Sequence, residues 1–167
     1  MIRFAGALAT ILALAAPAHA ADGCDKFAWP LTTERAQFAA TERMAAKAGD
    51  ALLSLPHTAI VLHLAAPDAA GFALPPERKA KAATWFGGAL SLPAPGKAGI
   101  YQVTLSDEAW IDLVQDGRYA HSVGSTGRSD CPGVRKSVRF ELTTAPLVVQ
   151  VSGVTSDRIA LTIAPAP

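Results

Sequence analysis

The residues best placed to do chemistry flank Asp116-Gly117, the dipeptide that favours a type I′ hairpin because both central positions need positive φ. A two-residue turn there sets Gln115 opposite Arg118, Val114 opposite Tyr119, Leu113 opposite Ala120, Asp112 opposite His121, Ile111 opposite Ser122 and Trp110 opposite Val123. Alternation then sorts these residues onto two faces. One carries Ile111, Leu113, Ala120 and Ser122, with Gln115 and Arg118 at its turn end. The other carries Trp110, Asp112, Val114, Tyr119, His121 and Val123. With the Ile111 face in the core, Trp110, Asp112, Tyr119 and His121 form a ligand platform of flat rings for stacking and polar groups for hydroxyls, which suits a glycan. With the Trp110 face in the core, Asp112 and His121 are a buried pair that pins register.

A hydrolase could use the same Asp–His pair only with a nucleophile beside it. Ser122 points to the other face, and Ser125 and Ser129 lack a nucleophile-elbow sequence, so no catalytic residue is assigned. Asp107-Glu108 has no matched second carboxylate and reads as a solvated turn. The glycine-rich loop 124–133, followed by Arg135, Lys136 and Arg139, collects four cations with Arg128. They are a candidate anion-binding group, although a charged edge strand beside a stapled turn explains the same residues. No metal or other cofactor is expected: His57 and His63 on a strand would stand about 20 Å apart.

The elements that must position these residues are mostly strands. Strand patterning appears at Thr58–Leu64, around Thr84-Trp85-Phe86 with a bulge at Gly87-Gly88, and at Gly99–Leu105, Ala109–Gln115 and Arg118–Val123. It continues at Ser137–Leu142, Leu147–Ser152 and Arg158–Ile163, with Val138, Phe140, Leu142, Leu147, Val149, Val151, Ile159, Leu161 and Ile163 inward. About eight strands at roughly ten-residue spacing predict a mainly β chain, an antiparallel β-sandwich or jelly roll. One N-terminal α-helix is expected from Glu34 to about Leu53, capped by Thr32 or Thr33, breakable at Gly49-Asp50, with Phe38, Ala45 and Leu52 on one stripe.

The chain is 167 residues long, 50% apolar and 17% charged. Of the first 20 residues 15 are apolar, and their order is that of an export signal. Met1-Ile2-Arg3 is the positive start, Phe4 to Ala16 the apolar core and Ala18-His19-Ala20 the small-x-small cleavage site. Cys24 follows Ala21-Asp22-Gly23, which lacks the aliphatic residue of a lipid-attachment box. Three parts are expected: a cleaved signal at 1–20, a helical segment at 21–54 packed on the sandwich, and the sandwich itself at 55–167. Loss of Arg3 with the signal leaves 14 basic residues against 14 acidic ones. That balance argues against nucleic acid as a partner, and no later apolar run approaches the roughly 18 residues of a membrane span. Two cysteines in an exported chain predict a Cys24–Cys131 disulfide and a periplasmic or secreted location.

The run Gly99-Ile-Tyr-Gln-Val-Thr-Leu105, the hydrophobic hairpin after it and the closing Ile159-Ala-Leu-Thr-Ile163 resemble the pre-peptidase C-terminal type of secreted β-sandwich domain over residues 99–163. Trp110-Ile111-Asp112 and the segment Cys131 to Phe140 are also similar to uncharacterised exported bacterial proteins. The first resemblance implies an accessory module that aids secretion or binds polymers, although no protease domain precedes it here. The function expected is therefore that of a non-catalytic envelope protein binding a small molecule, a glycan or an envelope protein. The alternatives are a small periplasmic hydrolase using His121 and Asp112, or an accessory subunit docked on a larger periplasmic enzyme.

Overall fold

The computed structural model describes residues 23–167; the expected export segment lies outside them. Ten strands form two sheets. The first sheet contains β1 (Met44–Lys47), β2 (Ile60–His63), β10 (Arg158–Pro165), β4 (Gly99–Leu105), β8 (Lys136–Leu142) and β7 (Ser122–Gly127), in that spatial order. The second contains β3 (Phe86–Leu92), β9 (Leu147–Val154), β5 (Trp110–Gln115) and β6 (Arg118–Tyr119). Pairing is antiparallel except between β1 and β2, which run parallel.

Alternation along each strand builds the core. Tyr101, Val103 and Leu105, with Val138, Phe140 and Leu142 and with Ile159, Leu161 and Ile163, face inward from the first sheet. Leu90, Ile111, Leu113, Leu147, Val149 and Val151 meet them from the second in the same cluster. Each fully buried aliphatic side chain contributes on the order of 2 kcal/mol. The expected bulge is present: β3 shifts register against β9 between Phe86 and Gly88.

Three expectations about the N-terminal helix are corrected. The N-terminal helix is only α1 (Thr32–Ala39), and the alanine-rich stretch beyond it becomes β1. Alanine's helix preference is weak, a few tenths of a kcal/mol per residue over most competitors. Pairing of β1 with β2 and burial of Ala46 outweigh it. Neither Thr32 nor Thr33 caps the helix; Leu31 holds the cap position with no side-chain hydrogen bond, and its buried side chain locates the helix by packing. Phe38 packs in the satellite cluster of Cys24, Phe27, Leu31, Cys131 and Val134, whereas Leu52 packs on the main core, so the expected stripe does not form.

The disulfide joins Cys24 to Cys131 across 107 residues. It ties segment 23–39 over the outer face of the first sheet, where Gln102, Thr104, Ser137 and Thr162 are buried. Trp29 Nε1 donates to Ser137 Oγ at 3.3 Å, Gln102 Nε2 donates to Glu34 Oε1 at 2.6 Å, and Thr104 Oγ1 donates to Ser137 Oγ at 2.9 Å. Polar groups on an outer face are thereby satisfied by a covering segment, since an unpaired buried one would cost about 1 to 3 kcal/mol. Among the described residues no helix is long and apolar enough to cross a membrane.

Candidate functional site

The hairpin starts as its sequence dictates. Asp116 and Gly117 both have positive φ, Val114 faces Tyr119, Gln115 faces Arg118, and Ala120 N donates to Leu113 O at 2.7 Å. Beyond Ala120 the chain leaves β5, crosses to the first sheet and pairs as β7 with β8, with Ser122 opposite Phe140. Asp112 and His121 are therefore not partners. The neighbour of Asp112 on β9 is Gln150, and that of Trp110 is Ser152. His121 is exposed and lines a separate cleft with Ile100, Gln115, Arg118, Tyr119 and Glu141. Val123 is also exposed, far from the pairing expected with Trp110.

The Ile111/Leu113 face is the core face, so Trp110, Asp112, Val114 and Tyr119 lie on the outside of the second sheet. That side is not a bare platform, because the segment 72–80 crosses it. Ala73 N donates to Gln150 Oε1 at 3.1 Å and Gln150 Nε2 donates to Leu74 O at 2.9 Å, the two-way match of a side-chain amide with backbone. Tyr119 donates its hydroxyl to Pro75 O. Glu77 N donates to Asp112 Oδ2 at 3.3 Å. Gly87 makes room for this segment: a Cβ there would stand 2.5 Å from the ring of Phe72 and 2.9 Å from Val151 O.

Asp112 is 3% exposed. Loss of water pushes its carboxyl above the ordinary value, while hydrogen bonds from Trp110 and Glu77 pull it back. Trp110 Nε1 is the stronger donor, at 2.7 Å from Asp112 Oδ1. Tyr119 is likewise held above its ordinary value, by desolvation first and then by the charges of Asp112 and Glu77.

With its N–H fixed, the indole of Trp110 receives two cations. Lys136 Nζ lies 4.8 Å from the ring centroid and the guanidinium carbon of Arg78 lies 5.4 Å from it, both within cation–π range. Trp110 opens β5 in one sheet and Lys136 opens β8 in the other, so the pair spans one end of the sandwich. They border a cleft of about 180 Å³ whose other walls include Lys79, Ala80, Lys81, Ala82, Ala109 and Gly153. Lys136 Nζ donates to Ala109 O at 3.3 Å. Desolvation lowers its basicity; Glu108 opposes that shift, and the nearby charges of Arg78 and Arg135 reinforce it.

The four cations proposed from the loop do not form one group. Arg128 pairs with Asp130 at 2.8 Å, and Arg135 pairs with Glu108 at 2.5 Å. Arg139 lies 4.3 Å from the ring centroid of Trp29 and donates to Gln102 Oε1 at 3.1 Å. Nor do Arg135, Lys136 and Arg139 mark an edge: β8 is an interior strand with β4 on one side and β7 on the other. Only Lys136 of the four meets a residue of the hairpin candidates, Trp110. Arg78, Lys79 and Lys81 are not among the residues expected from the sequence, although the cationic run after Pro75-Pro76 is a legible mark of a charged surface segment. Among the described residues no three His, Cys, Asp or Glu side chains converge as metal ligands would.

No protein-family model, curated protein or solved structure matches this chain. The geometry of the cleft is accordingly what bears on function.

Proposed function

We propose that the chain is an exported ligand-binding β-sandwich protein of the cell envelope, and that its ligand site is the cleft bordered by Arg78, Trp110 and Lys136. One observation carries this reading: a Trp whose N–H is anchored by a buried carboxylate holds two cations at the mouth of a small cavity. Pre-set donors beside an apolar wall are the usual composition of a small-molecule site. Covering of Asp112 and Tyr119 by segment 72–80 favours this cleft over a stacking surface along the whole hairpin.

Export is supported by the order of residues 1–20 and by the Cys24–Cys131 disulfide, a bond that persists in oxidising compartments. The sandwich build is in keeping with the accessory-module role that the resemblance to pre-peptidase C-terminal type domains implies. Expression of the full chain in a Gram-negative host, followed by fractionation and mass spectrometry, tests the compartment. A periplasmic or secreted product beginning at Ala21 with no free thiol is expected; a cytoplasmic product retaining Met1 overturns export. Binding is tested by thermal shift against a panel of small molecules, with Trp110→Phe as the comparison. At least one compound should stabilise the parent chain and lose its effect in the variant, and a panel with no hit removes the cleft from consideration.

A further inference from the structure

The charges around the cleft are unevenly matched. Arg78, Lys79, Lys81 and Lys136 line it together with one carboxylate, Glu108, which is already engaged by Arg135 at 2.5 Å. Among the described residues Arg78, Lys79 and Lys81 have no ion pair, and Lys136 Nζ spends one of its three donors on Ala109 O. The lining also includes Ala80, Ala82, Ala109, Gly153 and the indole of Trp110, with the hydroxyls of Ser152 and Thr155. Cationic donors and small apolar groups thus line the same cleft. A free phosphate or sulfate, hydrated on all sides, would leave the apolar wall unused; a molecule with an anionic head and an apolar body uses both.

Size narrows the class. A volume of about 180 Å³ is on the scale of one ring or one short chain. From the binding reading above, on which this inference rests, we infer that the cleft takes a small organic carboxylate, with its carboxylate on Lys136 and Arg78 and its apolar body against Trp110 and the alanine wall. Arg78 supplies a planar fork suited to two carboxylate oxygens, and Lys136 supplies a point charge. Contact with the indole holds both cations at the cleft without neutralising them.

The test uses the exported full chain, ¹⁵N-labelled, with the Trp110 indole N–H resonance assigned by its loss in Trp110→Phe. Four probes are titrated separately: benzoate, hexanoate, benzyl alcohol and inorganic phosphate. Saturable movement of that resonance by benzoate or hexanoate is expected, weakened at least tenfold by Arg78→Gln and by Lys136→Gln and largely restored in Lys136→Arg. Arg78 is exposed, so Arg78→Gln keeps the test decisive if Lys136→Gln fails to fold. Equal or tighter saturation by benzyl alcohol or phosphate overturns the carboxylate assignment while leaving the cleft a binding site. Carboxylate binding unaffected by both cation variants also overturns the assignment. Silence of the Trp110 resonance toward all four probes overturns the assignment and the binding reading together.

Discussion

Trp110 and Asp112 stand two apart on one face of β5, and the indole Nε1 donates to the carboxylate Oδ1 at 2.7 Å. Alternation makes such i, i+2 neighbours share a face, and segment 72–80 then excludes water from the carboxylate. The carboxylate serves as an acceptor for two donors that would otherwise lie partly buried without partners.

Asp112→Ala should therefore destabilise the chain by about 1 to 3 kcal/mol, the cost of leaving those donors unpaired. The pH dependence has a defined sign. Burial raises the carboxyl of the folded chain above 3.8, so the folded state holds the proton more tightly than the unfolded one. Between 3.8 and the raised value this group makes stability fall as pH rises, and Asp112→Asn should remove that contribution. Urea unfolding at stepped pH from 3.5 to 7 measures it; an unaltered slope in Asp112→Asn refutes the assignment.

Tyr119→Phe deletes the hydroxyl that holds Pro75 O and should cost about 0.5 to 1.5 kcal/mol. The effect should concentrate in segment 72–80. Trypsin cleavage after Arg78, Lys79 and Lys81 in the native protein is expected to accelerate, whereas cleavage elsewhere stays slow. Uniform acceleration at all sites would mean that the hydroxyl supports the whole sandwich rather than this segment.

Gly87→Ala inserts a methyl into space held by Phe72 and by a β9 carbonyl. The carbonyl is backbone and yields little, so the variant should lose about 1 to 3 kcal/mol. Gly96→Ala is the control, since no atom lies within 4 Å of a Cβ there. Melting temperatures of the two should differ by several degrees; coincident values would show that the Phe72 ring simply swings aside.

Removing the disulfide with Cys24→Ser and Cys131→Ser frees a loop closed across 107 residues. Chain entropy alone sets the loss at about 4 to 5 kcal/mol. The guanidinium midpoint should fall accordingly, and exchange of the Trp29 indole proton should quicken as segment 23–39 loosens over Ser137. A midpoint within error of the parent would show that packing of Phe27, Leu31 and Phe38 alone retains the segment.

Local chemistry made much of this molecule legible in advance. Asp116-Gly117 favours positive φ, period-two alternation assigns Val138, Val149 and Leu161 to the inside, and the two cysteines close on each other. The alanine-rich stretch after α1 forms a strand where a helix is expected, because its intrinsic preference is weak enough for a neighbouring strand to override. The Asp112–His121 pairing that a full-length hairpin implies does not form, because β6 ends after Tyr119 and the chain changes sheets.

By itself, then, the sequence determined which residues of a strand share a face, where the hairpin turns and which covalent bond ties the chain, since these depend on backbone sterics, side-chain periodicity and thiol chemistry; which hairpin face is core was left to the tertiary structure. Tertiary structure decided which strand lies beside which, that Arg78 arrives over Trp110 from 32 residues away, and that Lys136 reaches the same ring from the opposite sheet. The physical reason is that alternation specifies a face and not a partner. Many strands present equivalent edges, and only simultaneous closure of the core, with its buried polar groups satisfied, selects among them.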